Sequence, residues 1–407
     1  MNGLLLASEN PSTGIEPDLE VSVVIPCLNE METVAGCVAQ AVAALKRHGV
    51  TGEVLVADNG STDGSRELAA AAGARVVEIR DRGYGSALRG GFAAARGRYL
   101  VMGDADGSYD FGDLMPFLAR LREGYDLVMG NRFLGGIRPG AMPWKNRWIG
   151  NPLLSGLGRL LFGIAVGDFH CGLRALTRTA AAKLGLRTTG MEFASEMVIK
   201  AHLFGLRIAE VPTTLSPDGR SRPPHLRPWR DGWRHLRFML LFSPRWLFLA
   251  PGASLFLLGA ALTALLVRGP VRLGHIGLDV HSLLVASFVC LLGYQLLIFG
   301  VFARVYAAAE GFHPPSARLV RVSRRVSLEG GVIGGLTALG TGIVLLVLAL
   351  LSWGSTGFSE LDPAVTMRQV VPSVLLMALG TQTVFASFFI SILTLAKTTV
   401  TGSPMTP

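Results

Sequence analysis

Four long apolar runs in the second half of the chain constrain its fold more than any other feature. They lie at about 246–267, 280–303, 331–353 and 370–396. As a helix rising about 1.5 Å per residue, each run is long enough to cross a hydrocarbon core of about 30 Å. A buried helix of a soluble protein could produce one such run. Four runs separated by short polar loops indicate an integral membrane protein.

The apolar excess is concentrated in that half, and residues 1–245 are typical of a globular domain. Half of the 407 residues are hydrophobic, and the mean hydropathy is +0.44. The formal net charge of +9 is explained by arginines near anionic lipid, so we expect no nucleic acid partner. The four cysteines show no CxxC spacing, which fits reduced structural thiols in the cytosol.

Arginine distribution predicts the orientation in the membrane. Eight arginines lie between Arg207 and Arg245, ahead of the first run, whereas the loop at 354–369 carries one. By the positive-inside rule, both termini and the loop at 304–330 face the cytoplasm. The first residues, MNGLLLASENPSTG, lack the basic region of a signal peptide. We therefore expect a multi-pass protein of the cell inner membrane with a cytoplasmic catalytic domain.

Strand and helix patterns alternate through the globular half. Strands are expected at 21–26, 53–58, 74–79, 98–104 and 125–130, with helices at about 30–48, after 65 through 72, 84–95 and 112–122. Such repeats predict an α/β fold with a mostly parallel sheet. Ligands of these sheets bind beyond the carboxyl ends of the strands, where Asp58, Asp104 and Arg132 fall. No GxGxxG follows the first strand and no Walker A loop is present, which favours a nucleotide pocket built on carboxylates and metal.

The segment RYLVMGDADGSYD (98–110) places two carboxylates at the end of a buried strand. Alternate side chains of extended backbone point the same way, so Asp104 and Asp106 can face one pocket. Two hard oxygen ligands there suit a divalent cation that carries substrate phosphates. The alternative is that both aspartates only cap the turn at Gly107.

The motifs VSVVIPCLNE, LVADNGSTDGS, GYGSALRGGF and DAD, in this order and spacing, resemble those of family-2 glycosyltransferases with the GT-A fold. VMGNRF, NRWIGN and DFHCGLRAL are similar to the dolichyl/polyprenyl-phosphate mannose/glucose synthase branch, which carries C-terminal transmembrane helices. The resemblance implies four regions. They are a flexible N-terminus (1–20), a GT-A domain, Rossmann-like (21–224), a juxtamembrane amphipathic segment (225–245) and a four-helix transmembrane domain (246–398).

The resemblance also implies a donor site with a metal. The residues expected to bind the nucleotide-sugar are Pro26, Asn29, Glu30, Asp58, Gly85, Arg89, Asp104 and Ala105. Asp104 and Asp106 would hold Mg²⁺ or Mn²⁺, and Ser108 stands where the family often has a Gln or Asn ligand. The alternatives are a helix-entry cap ahead of Ser61 and Asp63 for Asp58, a first-turn acid for Glu30, and ordinary packing and solvation for Gly85 and Arg89.

The resemblance also implies that arginines bind the acceptor phosphate. The residues expected at the acceptor phosphate are Arg132, Arg147, Arg220, Ser221 and Arg222, and those counted as catalytic are Asp106, Arg132, Arg147 and Asp168. Asp168 could orient an arginine or an acceptor group. DGRSRP departs from the family's usual R-x-x-G-x-S-K. Non-specific attraction to lipid is the alternative for the arginines.

These features predict inverting transfer of a single hexose, with UDP-glucose favoured as donor, to undecaprenyl or dolichyl phosphate at the cytoplasmic face. The acceptor phosphate is already a nucleophile and needs cations rather than a general base. Alternatives are a GDP-mannose-dependent synthase and a processive polysaccharide synthase, although WKNRW (144–148) lacks the glutamine of QxxRW. A lipid flippase with a nucleotide sensor is disfavoured by the few charges in the spans. A homo-oligomer is possible, and the sequence does not decide the oligomeric state.

Overall fold

The computed structural model describes residues 19–221, 228–314 and 328–395. They fall into two compact units. One is formed by residues up to Leu157 together with 164–234, and the other by 158–163 together with the residues from His235 on. The first unit contains a seven-stranded sheet with helices, and the second is mainly helical. Arg222, the prediction for 1–18, and parts of the predicted 225–245 segment and 304–330 loop lie outside the described residues.

One mixed sheet forms the first unit. Its strands are β1 Val21–Cys27, β2 Gly52–Asp58, β3 Arg75–Glu78, β4 Tyr99–Met102, β5 Leu127–Asn131, β6 Arg174–Thr177 and β7 Ile208–Pro212. Their order is β3-β2-β1-β4-β6-β5-β7. Strand β6 runs antiparallel to both neighbours, and the other neighbouring pairs are parallel. The predicted mostly parallel α/β sheet is therefore confirmed.

Central strand β1 is buried along its whole length, which is why its sequence is a continuous apolar run rather than an alternating one. The helices of this unit are α1 Val34–Arg47, α2 Ser65–Ala71, α3 Tyr84–Ala94, α4 Met115–Arg122, α5 Arg132–Gly135, the first part of α6 Asn151–Phe162, α7 Arg178–Leu184 and α8 Phe193–Leu203; the end of α6 belongs to the second unit. Two predicted helix starts were wrong. Helix α1 begins at Val34, after a turn, and α4 begins at Met115, after the loop that follows Asp106.

The sequence prediction missed strands β6 and β7. Strand β6 has four residues and β7 has five. The antiparallel strand β6 inserts between β4 and β5, so the order of strands along the chain does not reveal it. This insertion separates the carboxyl end of β4, where Asp104 lies, from that of β5, which leads into Arg132.

Four helices of the second unit are long and apolar enough to cross a membrane: Arg245–Leu266, Val280–Ala309, Leu328–Ser355 and Pro363–Leu393. The elements of this region are α9 Pro228–Leu241, a π-helical turn Arg245–Leu249 leading into α10 Ala250–Leu266, the hairpin β8 Val271–Leu273 and β9 Ile276–Leu278, α11 Val280–Ala309, α12 Leu328–Ser355 and α13 Pro363–Leu395. The four predicted runs are confirmed as helices, and the last one begins earlier than its apolar run.

Arg368 explains why α13 extends beyond its apolar run. Its Nη2 pairs with Asp279, the residue that caps α11, and its Nε donates to the Leu266 carbonyl at the end of α10 at 3.2 Å. A charged side chain at the end of a membrane helix is stable where it finds such partners. Arg368 therefore connects the ends of three helices of this unit.

Candidate active site at the carboxyl ends of the strands

Asp104 and Asp106 follow β4 in a loop that bends sooner than predicted. The strand ends at Met102, and a turn covers Ala105 and Asp106. The extended-backbone argument is therefore wrong for Asp106, although the charge of Asp106 still acts on Asp104. Buried Ala105 packs in the core beneath the turn. The loop thus brings the two carboxylates together by a turn rather than by strand alternation.

The environment of Asp104 disfavours its charged form. Desolvation, with the Asp106 charge as the second cause, raises the pKa of Asp104 to about 6. Tyr84 at the start of α3 donates from its hydroxyl to Oδ1 at 3.0 Å, and the charges of Arg220 and Arg132 act in the opposite sense. A Cβ on Gly172 would collide with Asp104 Oδ2, so a glycine at position 172 leaves room for this carboxylate.

Asp106 uses its two oxygens for different purposes. Its Oδ1 accepts from the Ser108 amide at 3.0 Å and from the Ser108 hydroxyl at 2.6 Å, which caps the turn. Its Oδ2 forms an ion pair with Arg220 Nη2. One Asp106 oxygen therefore caps the turn, as the alternative expects, and the other contacts the Arg220 guanidinium.

Asp58, fully buried at the end of β2, organises the loop that follows. Its carboxylate accepts from the amides of Gly60 at 3.0 Å and Ser61 at 3.1 Å, and it pairs with Arg66 Nε at 2.6 Å. Asp58 thus caps the loop rather than the predicted helix entry, because helix α2 begins at Ser65 without a side-chain cap. Binding of the nucleotide base by Asp58 stays a prediction.

The loop after β1 carries the next predicted donor residues. Pro26 is buried in β1, next to the last residue of the strand. Asn29 adopts a positive φ of 56° and is held by two hydrogen bonds, from its amide to Ser61 Oγ and from Thr62 N to its Oδ1, both at 2.9 Å. Glu30 precedes helix α1 and lies 3.3 Å from Arg220 through Oε2 and Nε, so it is not a first-turn acid of that helix.

Gly85 and Arg89 on α3 both contact the segment that precedes α8. The Gly85 amide donates to the Thr189 carbonyl at 2.9 Å, and a Cβ at Gly85 would lie 2.5 Å from the Thr188 carbonyl oxygen. Arg89 Nη1 donates to the Arg187 carbonyl at 3.1 Å. The packing alternative describes these contacts, and a role at the base or ribose stays a prediction.

Arg132 and Asp168 form a buried bidentate pair. Asp168 is 0% exposed and Arg132 is 8% exposed. The Arg132 Nε and Nη2 atoms donate to the two Asp168 oxygens at 2.6 and 2.7 Å, and the Arg132 amide adds a third bond at 3.1 Å. Asp168 therefore fixes the plane of this guanidinium, a geometry in which arginine binds anions well.

The other predicted acceptor residues lie in two places. Arg147 is in a π-helical turn, Asn146–Gly150, with its guanidinium over the Trp148 ring at 5.4 Å from the centroid. Within the described residues, it makes no hydrogen bond or ion pair with the carboxylates. Ser221, by contrast, binds Glu32 through its amide at 2.7 Å and through its hydroxyl. The structure therefore joins Arg220 and Ser221 to the carboxylate loops and leaves Arg147 apart.

Two buried or partly buried carboxylates with hard oxygens fit a Mg²⁺ or Mn²⁺ ion. Among residues 19–221, 228–314 and 328–395, no group of three His, Cys, Asp or Glu side chains is placed to hold a metal. The Ser108 hydroxyl, at the position in doubt as a third ligand, donates to Asp106. An ion held by Asp104 and Asp106 would thus take its remaining ligands from donor phosphates and water.

Three contributors to the site were missed from the sequence. Tyr84 binds Asp104, Arg66 pairs with Asp58, and the Tyr109 hydroxyl accepts from the Gly172 amide at 2.8 Å. Tyr109 lies three residues after Asp106 in the same motif, a position that could have drawn attention to it. Tyr84 likewise lies in the GYGSALRGGF motif, but its partner Asp104 is 20 positions away. Arg66 lies on helix α2, just after the LVADNGSTDGS motif that contains Asp58.

Comparison with known proteins gives two family matches. The description "Glycosyl transferase family 2" matches residues 22–185, and "Glycosyltransferase family 2 C-terminal transmembrane region" matches residues 301–394. The first match covers strands β1 to β6 and the Asp104–Asp106 loop. The second covers the end of the second membrane helix and the whole of the last two.

Relatives and solved structures add to these matches. The low-salt glycan biosynthesis hexosyltransferase Agl6 of Haloferax volcanii is 39% identical over 389 residues, which is 95% of this chain and 91% of the relative. The dolichyl-phosphate hexose transferase of the same organism is 35% identical over 39% of this chain and 68% of its own length. A glucosyl-3-phosphoglycerate synthase of Mycobacterium tuberculosis aligns with a TM-score of 0.43 and 28% identity, over 55% of this chain and 79% of that one.

Proposed function

The chain belongs to glycosyltransferase family 2, and we propose that it transfers one hexose from a nucleotide-sugar to a polyprenyl phosphate, with inversion at the anomeric carbon. Hexosyl transfer itself follows from the relatives. UDP-glucose is the favoured donor, and the favoured setting is the cytoplasmic face of the inner membrane. The observation that carries the proposal is a carboxylate pair, Asp104 and Asp106, that lies close to two arginines: Arg220, paired with Asp106 and 10% exposed at its side chain, and the buried Arg132, whose charge acts on Asp104.

The metal is proposed to bind at Asp104 and Asp106. Their oxygens are the hard ligands that Mg²⁺ and Mn²⁺ prefer. Burial first and the nearby Asp106 charge second raise the pKa of Asp104, and a cation bound between the two carboxylates would offset both effects. When bound, the ion supplies positive charge for the departing diphosphate. The protein's own contribution is to hold both carboxylates on a rigid loop, fixed by Tyr84 and Ser108.

The nucleoside is proposed to lie along the ends of β1 and β2, against Pro26, Asn29, Glu30 and Asp58. The Asp58 network and the hydrogen bonds of Asn29 tie the two loops together. A pocket wall that is fixed before binding loses less entropy when the ligand arrives. Gly85, Arg89 and Ala105 are proposed to complete this side of the pocket.

A phosphate acceptor is supported by the arginines. A polyprenyl phosphate carries up to two negative charges near neutral pH, by analogy with other phosphate monoesters, and can attack carbon without a general base. It needs cations to approach another anion, and Arg132, oriented by Asp168, and Arg220 offer them. Arg147, Ser221 and Arg222 are proposed as further acceptor contacts. The apolar helices and the printed name of the dolichyl-phosphate relative support a lipid carrier.

The test is a product assay with the full-length protein in detergent, supplied with Mg²⁺, undecaprenyl phosphate and either UDP-glucose or GDP-mannose. We expect a lipid-linked hexose, and Asp106→Asn should lower kcat at least about 100-fold because charge stabilisation by a metal is worth several kcal/mol. The matched control is Asp110→Asn, an exposed acid in the same loop that binds only the Gly112 amide. Unchanged turnover in Asp106→Asn would remove the metal role. If product formed with GDP-mannose but not with UDP-glucose, GDP-mannose would be the donor.

A further inference from the structure

Arg220 occupies the position next to Asp106 that a metal cation bound to this carboxylate would need. Its Nη2 pairs with Asp106 Oδ2, and its Nε lies 3.3 Å from Glu30 Oε2. The side chain is only 10% exposed, and those of Asp106 and Glu30 are 13% and 7% exposed. One guanidinium thus neutralises carboxylates from two different loops of the site.

The backbone around Arg220 is attached to the same two loops. We call residues 216–221 the strap. The Ser216 amide donates to the Ser108 carbonyl and the Gly219 amide to the Asp106 carbonyl, both at 2.9 Å. Ser221 binds Glu32, two residues after Glu30. The strap is therefore closed over the carboxylates by backbone bonds as well as by charge.

Both oxygens of Asp106 are in use while the strap is closed, since Oδ1 serves Ser108 and Oδ2 serves Arg220. A divalent cation at Asp106 would meet the positive guanidinium at close range, and like charges at that distance repel strongly where water is scarce. The cation and Arg220 cannot both be near neighbours of Oδ2 without a large electrostatic cost.

We propose that Arg220 and a divalent cation compete for Asp106, so that binding of the cation opens the strap. This inference rests on the proposed metal role of Asp104 and Asp106. Because linkage is reciprocal, a closed strap weakens cation binding by the same factor by which the cation weakens closure. Opening releases the Arg220 guanidinium from its carboxylates and makes it available to the acceptor phosphate. Through Arg220, capture of the acceptor phosphate thus depends on a loaded metal.

The first test measures Mn²⁺ binding to the full-length protein without nucleotide, by electron paramagnetic resonance of the free ion. Arg220→Gln should bind Mn²⁺ about tenfold more tightly than the unmodified protein, because the competing charge is gone. Arg220→Lys, which keeps the charge but not the planar fork, should lie between the two. The matched control is Arg138→Gln, an exposed arginine whose amide donates to Leu215, just before the strap, and its affinity should not change.

A second measurement does not depend on a variant that folds well. Hydrogen–deuterium exchange of residues 216–221 in the unmodified protein should speed up at saturating Mn²⁺, because the Ser216 and Gly219 amides lose their carbonyl partners. Equal Mn²⁺ affinity in Arg220→Gln and the unmodified protein, or strap exchange unchanged by bound Mn²⁺, would overturn the competition while leaving the metal site intact. Absence of Mn²⁺ binding in every variant would instead overturn the metal role itself, and the competition with it.

Discussion

Arg132 is a buried charge whose stability depends on one partner. The desolvation cost of such a group is repaid only by good geometry, and removing one member of a buried pair leaves the other charge uncompensated. Asp168 meets that demand with two short bonds to the guanidinium and one to the Arg132 amide. The proposed role of Arg132 at the acceptor phosphate therefore depends on Asp168.

Asp168→Asn keeps the shape of the side chain but removes its charge. We expect the free energy of unfolding to fall by about 3 kcal/mol, the usual cost of breaking a buried pair, and the KM for lipid phosphate to rise. Thermal unfolding in detergent and acceptor titrations measure both effects. Glu123→Gln, which breaks the exposed pair with Arg120, should leave both unchanged. Full stability of Asp168→Asn would contradict this account of the pair.

Glu53 on β2 provides a pH-dependent contact within the sheet. Burial opposes its charged form, but hydrogen bonds from Ser22, the Arg96 amide and Arg75 outweigh burial and lower its pKa. A carboxylate with a lowered folded-state pKa stabilises the fold above its unfolded value, about 4.3, and loses that contribution as the pH falls through the folded value. Glu53→Gln should therefore cost about 1 kcal/mol at pH 7. The difference in unfolding free energy should shrink below about pH 4, and a constant difference would contradict the assigned ionisation.

At the scale of elements, glycines allow the membrane helices to approach closely. A Cβ at Gly335 on α12 would lie 2.8 Å from the Gly380 carbonyl oxygen and 2.9 Å from the Val384 amide, both on α13. A Cβ at Gly340, one and a half turns further along α12, would meet nothing within 4 Å. Small residues at such crossings let the helices pack by close backbone contact, where lipid provides no hydrophobic drive for association.

Gly335→Leu should separate α12 from α13 and lower the free energy of unfolding by about 1–3 kcal/mol, the range found for overpacked sites. Gly340→Leu is the matched control on the same helix and should be close to neutral. Thermal unfolding of both variants in the same detergent measures the difference. Equal stability of the two variants would show that the α12–α13 contact is not tight.

The elements that the sequence predicted best are those with a strong local pattern. The apolar strands β1, β2 and β4 and the four membrane runs are continuous apolar stretches, and each was found, although β4 ends at Met102 rather than at 104 and α13 begins at Pro363 rather than at 370. Strand β6 was missed because its pairing, antiparallel between β4 and β5, is decided by tertiary contacts. The start of α4 was placed too early because the loop after Asp106 continues through a turn at Phe111 and Gly112.

At the scale of the whole molecule, the candidate site is assembled from segments far apart in the chain. Motif order predicted the position of Asp104 and Asp106 at a strand end. The contact of Asp106 with Arg220 spans 114 positions, and no local pattern could reveal that the two charges meet. Family resemblance named both residues but gave them separate roles, one for metal and one for acceptor. Their direct pairing is seen only in the folded chain, where residues 216–221 lie against the loop after β4.

The central claim is that the hexose moves to a lipid phosphate, and mass spectrometry of the lipid product tests it most directly. The purified full-length protein is incubated with UDP-glucose, Mg²⁺ and either undecaprenyl phosphate or undecaprenol, which lacks the phosphate. We predict that the phosphate lipid gains a single hexose, β-linked by nuclear magnetic resonance, and that undecaprenol gains none. A polymer of hexoses, an α-linked product, or donor consumption with both lipids unchanged would contradict the account.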